Sequence, residues 1–247
     1  MNCKTEVLSF PSSSAGAAPR MDIYVGIHKA LRAMMLDTLQ AVGCIDVHDP
    51  AASRAVCERV LDLAGLCASH LAHENDFVHP AMEARRPGSS GRIAAEHVEH
   101  LAAIQTLRDG VSRLNAARGA AAKTDAALRL YRALALFVGE NFAHMHIEES
   151  HHNQVLWACY SDDELRALEG AIVASLPPAE NLCVLRWMIP AMTPDERAGL
   201  LAGLRAGAPA PVFEAVLGAV QPHMSPREWE KLMDALAPAP FPAAVAA

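Results

Sequence analysis

The sequence predicts an all-α fold, an antiparallel four-helix bundle followed by a set of shorter helices. Apolar residues make up 52% of the 247 positions while aromatic residues make up only 5%, a mixture typical of helices packed through small side chains. Alternation of apolar and polar residues with period two, the signal of a half-buried strand, is rare. Long stretches instead repeat apolar residues at helical spacing and are separated by glycine and proline.

The first helix is predicted over about 21–42. Its apolar residues recur at the spacing of one helix face and comprise Ile27, Leu31, Met34, Met35 and Leu39. Gly43 and the polar stretch 46–49 end it. Asp49 followed by Pro50 is a plausible cap and first turn for a second helix, which is expected to continue to about Ala84 with an early end or bend at Pro80.

The run 86–91 contains one proline and two glycines and separates the second helix from a third, which extends to about 117. Thr124 is a candidate cap for a fourth helix that continues to about Cys159. The rise of an α-helix places His97 ~31 Å from the loop before the fourth helix and His144 ~30 Å from it. Antiparallel third and fourth helices would therefore bring these two histidines level.

Shorter helices are predicted after the bundle. Ser161, Thr193 and Ser225 are each followed three residues later by glutamate, the pattern of a capping box. We divide the chain into a flexible tail over 1–20, a bundle over 21–176, a C-terminal helical extension over 177–237 that begins at Pro177-Pro178, and a frayed tail over 238–247.

The extension carries apolar helix faces that must be buried. One interpretation is structural cover for the bundle, and the other is a homodimer or protein-partner surface. The residues concerned are Trp187, Met188, Ile189, Phe213, Val216, Leu217, Trp229, Leu232 and Leu236.

Two motifs carry the functional prediction. His70 precedes Glu74, and His144 precedes Glu148, by four residues within predicted helices. Residues i and i+4 lie on one helix face, so each motif offers an imidazole nitrogen and a carboxylate to one point. Two such helices facing each other would supply two nitrogens and two carboxylates to a common site, which favours a pair of metal ions in the bundle.

Further histidines could complete such a site. His28 lies on the apolar stripe of the first helix, and the third helix offers His97 or His100, both on its apolar stripe. Periodicity alone leaves that choice open. Four more histidines are interpreted as facing solvent, namely His73, His79, His151 and His152.

The order histidine, His-x-x-x-Glu, histidine, His-x-x-x-Glu over 21–168 resembles the hemerythrin-like (HHE cation-binding) domain. The resemblance implies an oxo- or hydroxo-bridged pair of non-haem iron ions. The ligands it implies are His28, His70, Glu74, His97, His144 and Glu148. His97 is preferred to His100 because apolar residues typically follow the family's third-helix histidine at +7 and +10, here Ile104 and Leu107.

Oxygen-carrying hemerythrins have two histidines on the third helix and a final aspartate, whereas Glu148 resembles the bacterial and regulatory branch. The expected function is therefore binding or sensing of O₂, NO or iron. The alternative is a di-iron enzyme with peroxidase-like activity on peroxide, or an iron donor in iron–sulfur cluster repair.

The composition gives no support for nucleic acid or a membrane as a partner. The net charge of −7 gives no electrostatic reason to expect nucleic acid, and no apolar run reaches the roughly 18 residues that span a membrane. The six cysteines form no C-x-x-C pair and are read as reduced thiols. With no signal-peptide pattern before residue 21, a cytoplasmic location is expected.

Overall fold

The computed structural model describes residues 19–237, and the regular structure in this range is entirely helical. The predicted all-α class is thus confirmed. The tails predicted for 1–20 and 238–247 lie outside the described residues, apart from residues 19 and 20.

Four long helices form the bundle: α1 (Val25–Gly43), α2 (Pro50–His73), α4 (Gly91–Ala116) and α5 (Ala120–Ile147). A π-helical turn, Glu74–Val78, joins α2 to α3 (His79–Arg85), and a second, Glu148–His152, joins α5 to α6 (Asn153–Cys159). The C-terminal part of the described residues contains α7 (Asp162–Ser175), α8 (Pro178–Ala191), α9 (Pro194–Gly207), α10 (Ala210–Val220), the 3₁₀ turn Gln221–His223 and α11 (Pro226–Leu236).

Helix starts are set by local capping. Asp49 caps α2 as predicted, since its Oδ1 accepts from the amides of Ala51 and Ala52 at 2.8 and 3.2 Å. The predicted Thr124 cap is wrong, because α5 begins at Ala120, directly after Gly119 with its φ of 80°. A positive φ is inexpensive only for glycine, so the chain turns there and Thr124 falls inside the helix.

Two π-helical turns interrupt the bundle helices, and each begins at the glutamate of a His-x-x-x-Glu motif. In the first, the amide of His79 donates to Glu74 O, one residue further back than in an α-helix. Pro80 follows directly and cannot continue the normal ladder. The second turn has no proline. There Ser150 Oγ donates to His146 O at 2.6 Å and Asn153 Nδ2 donates to Glu149 O at 3.1 Å. These side chains donate hydrogen bonds to backbone carbonyls in the widened turn and just before it.

The bundle is a ring in which α1 packs on α2, α2 on α4, α4 on α5 and α5 on α1. Its core is a continuous cluster that includes Leu31, Met35, Leu63, Leu107 and Phe137. Burying each such side chain contributes about 1.5–3 kcal/mol. Helix α8 also packs along α1, and Val184 belongs to the same cluster.

The C-terminal helices cover their own apolar faces. All three predicted capping boxes are present. Arg197 is buried and donates to Ile189 O and Pro190 O at 2.8 and 2.6 Å, which ties α9 to the end of α8. The cluster beneath comprises Ile189, Leu201, Val216, Val220, Leu232 and Leu236. A partner surface on these helices stays a prediction, and so does the division into bundle and extension.

Among the described residues, no helix combines the length and apolar character needed to cross a bilayer.

Candidate metal centre

Six side chains from α1, α2, α4, α5 and the two π-helical turns meet in the middle of the bundle, and they are the six predicted from sequence. They form two groups that share both glutamates. One group is His28, His70, Glu74 and Glu148, and the other is Glu74, His97, His144 and Glu148. Within each group, one donor atom per residue lies within 4.8 Å of the others.

Each glutamate divides its two oxygens between the groups. Glu74 places Oε1 3.3 Å from His70 Nε2 and Oε2 3.3 Å from His97 Nε2. Glu148 places Oε2 3.4 Å from His28 Nε2 and Oε1 3.2 Å from His144 Nε2. A carboxylate in this position can bridge two cations.

The inward atoms have no hydrogen-bond partner among the described residues. This holds for Nε2 of all four histidines and for both oxygens of Glu74 and Glu148. The two glutamates are 3% and 0% exposed, and an unpaired buried carboxylate is strongly unfavourable. Imidazole nitrogen and carboxylate oxygen together suit iron, manganese or zinc. The residues present therefore fit a pair of cations.

The outward ring nitrogens are held by a second row of side chains. Three of the four histidines pair Nδ1 with an oxygen: His28 with Glu149 at 3.0 Å, His97 with Asn75 at 2.9 Å, and His144 with Glu96 at 3.0 Å. Such contacts fix the tautomer and the ring orientation of a metal-binding histidine.

Arginines anchor two of these second-row carboxylates. Arg32 donates to both oxygens of Glu149, at 2.5 and 2.9 Å, and Arg92 donates to Glu96 at 3.0 Å. No role was predicted from the sequence for Glu149, Asn75 or Glu96. For Glu149 and Asn75 a signal was available, because each directly follows a glutamate of a His-x-x-x-Glu motif.

The carboxylates dominate the charge of the pocket. Burial disfavours a charged His28, but the nearby carboxylates of Glu148 and Glu149 outweigh burial and raise its pKa to about 9. His97 behaves alike: against burial, Glu148 and Glu74 raise its pKa to about 9. Burial opposes the charge of Glu148 as well, yet His144, His28 and His97 hold its pKa well below the usual value. For His70 burial prevails and lowers the pKa.

The structure separates the two candidates on α4. His97 Nε2 belongs to the second group of donors, whereas His100 lies outside both groups. His100 is buried, with its ring centroid 4.4 Å from that of His144. This placement favours His97 as the ligand and His100 as a packing neighbour.

Replacing these two histidines tests that assignment. We expect His97→Ala to reduce bound iron to about one ion per chain or fewer, while His100→Ala keeps about two, because only His97 supplies a converging nitrogen. The measurement is iron per chain at saturating iron, since losing an outer contact lowers affinity without removing a site. The opposite pattern would move the ligand to His100.

Two of the histidines expected at the surface are buried. His79 and His152 are 6% and 0% exposed, so that interpretation was wrong for them, whereas His151 is exposed and His73 is half-buried. The π-helical turn explains His79. The hydrogen bond of such a turn spans five residues rather than four, so the residue at +5 from Glu74 returns toward the face of the site.

A cavity of about 350 Å³ reaches the site from the side of α7 and α8. His70 and Glu74 lie on its wall, and much of the remaining lining is apolar, including Leu66, Val184 and Met188. The C-terminal helices therefore shape one approach to the donor cluster.

A helical bundle with a buried cluster of four imidazoles and two carboxylates defines a cation-binding helical protein. The hemerythrin HHE cation binding domain matches residues 21–155, and the chain belongs to this family. The match covers more than half of the chain and confirms the resemblance seen in the sequence. Comparisons with curated proteins and with solved structures gave no match.

Proposed function

We propose that this chain is a non-haem di-iron protein that binds or senses O₂, NO or iron. The observation that supports two ions rather than one is the division of each glutamate between two histidine pairs. Glu74 faces His70 and His97, and Glu148 faces His28 and His144. A single-ion site would not require two carboxylates aimed at two separate sets of nitrogens.

In this proposal His28 and His70 would hold one iron, His97 and His144 would hold the other, and both carboxylates would bridge. Two six-coordinate irons offer about twelve positions, of which these side chains fill about eight. An oxo or hydroxo bridge would fill two more. Positions would then remain for an external ligand.

When bound, the iron pair supplies reversible change between ferrous and ferric states together with open coordination positions. The protein supplies the rest. Glu149, Asn75 and Glu96 fix three of the imidazole rings, so that Nε2 points inward. Two buried carboxylates offset part of the positive charge. The apolar cavity beside His70 suits an uncharged diatomic ligand better than a hydrated one.

Iron loading tests this function. We expect protein loaded with ferrous iron without oxygen to hold about two irons per chain. Exposure to O₂ or NO should then change its visible absorption. Fewer than about two irons would contradict the proposal, and a spectrum that responds to neither gas would exclude O₂ and NO as its ligands. Sustained peroxide turnover by the loaded protein would instead favour the enzymatic alternative.

A further inference from the structure

Besides His100, two more buried imidazoles lie beside the six proposed ligands. His79 directly follows the π-helical turn that begins at Glu74, and His152 is the last residue of the turn that begins at Glu148. The Nε2 atom of each has no hydrogen-bond partner among the described residues. Neither residue belongs to either group of converging donors. The assigned ligand set therefore leaves these two nitrogens unexplained.

The two rings contact each other beside the donor cluster. The His79 ring stacks on that of His97, with centroids 4.9 Å apart and an angle of 23°. The His152 ring meets His79 edge-on, with centroids 5.6 Å apart and an angle of 87°. Tyr24 contacts the other side of His152. Its hydroxyl lies 3.0 Å from His152 Nδ1, and its side chain is almost wholly buried.

The tyrosine determines which nitrogen of His152 carries a proton. Its hydroxyl hydrogen has no other acceptor among the described contacts than His152 Nδ1. When Tyr24 donates there, the neutral imidazole carries its own proton on Nε2 and becomes a donor. A buried donor without an acceptor is costly, and such groups in folded proteins ordinarily have a partner. None of the described residues supplies that acceptor.

We propose that His79 and His152 form a hydrogen-bonding pair for the outer atoms of a small ligand at the metal site, with Tyr24 positioning His152. This inference rests on the proposed di-iron function and adds the residues that would hold the ligand, with azide as the probe. Two imidazole donors beyond the proposed ligands would bind an exposed acceptor atom of the ligand, and a charged acceptor most tightly, because hydrogen bonds to a charged acceptor are the stronger ones.

Azide binding to the ferric protein is the test. We expect His79→Phe and His152→Phe to keep the wild-type iron content and to weaken azide binding by about tenfold to a hundredfold, the worth of a hydrogen bond to a charged group. Tyr24→Phe should weaken it less, because the ring of His152 remains. The control is His151→Phe, which replaces the exposed imidazole that directly precedes His152. This variant should leave the Kd for azide unchanged.

Glutamine variants separate hydrogen bonding from packing. His79→Gln and His152→Gln keep a donor near Nε2, so they should bind azide more tightly than the Phe variants, and the infrared stretch of bound azide should move back toward wild type. Equal azide affinity in wild type and both Phe variants would overturn the pair. Loss of iron in the Gln variants would also overturn the hydrogen-bonding pair, because it would show that these histidines bind the metal directly. Iron content is measured before azide binding. Wild-type protein that holds no iron would therefore contradict the di-iron proposal, and the hydrogen-bonding pair would fall with it.

Discussion

Replacing either shared glutamate by glutamine is expected to remove most of the bound iron. Glu74→Gln and Glu148→Gln keep side-chain size but lose the charge and one bridging oxygen, so iron should fall from about two per chain to less than about one. Glu148→Gln should have the larger effect. Its carboxylate lies within 3.7 Å of Nε2 of three histidines, His28, His97 and His144, whereas Glu74 faces two.

The matched control is Glu140→Gln, which removes an exposed carboxylate from the same helix that carries His144. Iron per chain is measured after ferrous loading without oxygen and removal of free metal, with circular dichroism to verify that the helices persist. Full iron content in the Glu74→Gln, Glu148→Gln double variant would show that the metal lies elsewhere. Equal losses in the control would point to a general effect of charge.

Much of the site could be predicted because helical periodicity is a strong signal. The spacing of His70 to Glu74, and of His144 to Glu148, places nitrogen and oxygen on one face whatever the tertiary structure. Helix rise alone predicted that His97 and His144 would be level, and their ring centroids are 5.1 Å apart. Local helix geometry was therefore enough to pair the four residues of the two His-x-x-x-Glu motifs, out of the six that converge.

Other features depend on packing that no local pattern encodes. His97 and His100 share an apolar stripe, and only the approach of α5 shows which one faces the carboxylates. The π-helical turn before Pro80 changes the phase of the helix, so the interpretation of His79 as facing solvent was wrong. Glu96 is a half-buried polar residue, and nothing in the sequence distinguishes it from a solvated side chain.

Metal binding is expected to strengthen steeply with pH. In the metal-free protein the carboxylates raise the pKa of His28 and His97 to about 9, so both imidazoles are protonated at neutral pH. A metal ion binds only the deprotonated nitrogen and must displace these protons. Below pH 9 the affinity should therefore rise about tenfold per pH unit for each proton displaced, or about a hundredfold for the two together.

The number of protons released when iron binds measures the charge of these two imidazoles directly. Loading at pH 7 should release about two protons per chain from these imidazoles, whereas loading at about pH 9.5 should release only about half a proton from them. Glu149→Gln is the informative variant, because Glu149 contacts His28 Nδ1 without belonging to either donor group. Removing it should lower the pKa of His28 and reduce the release at pH 8. Release that is absent at pH 7 would contradict the charged histidines.

The same pKa shifts predict the stability of the metal-free protein. A histidine whose folded-state pKa lies above its ordinary value of 6.5 stabilises the fold fully below pH 6.5, and that contribution is lost as the pH rises through about 9. Thermal unfolding of the apo form should therefore shift to lower temperature between pH 7 and 9.5. The loaded form should lack this decline, because the metal takes over the pairing of Glu74 and Glu148. Parallel pH profiles for both forms would show that the histidine charges do not support the apo fold, and that the carboxylates alone shape the pocket before metal arrives.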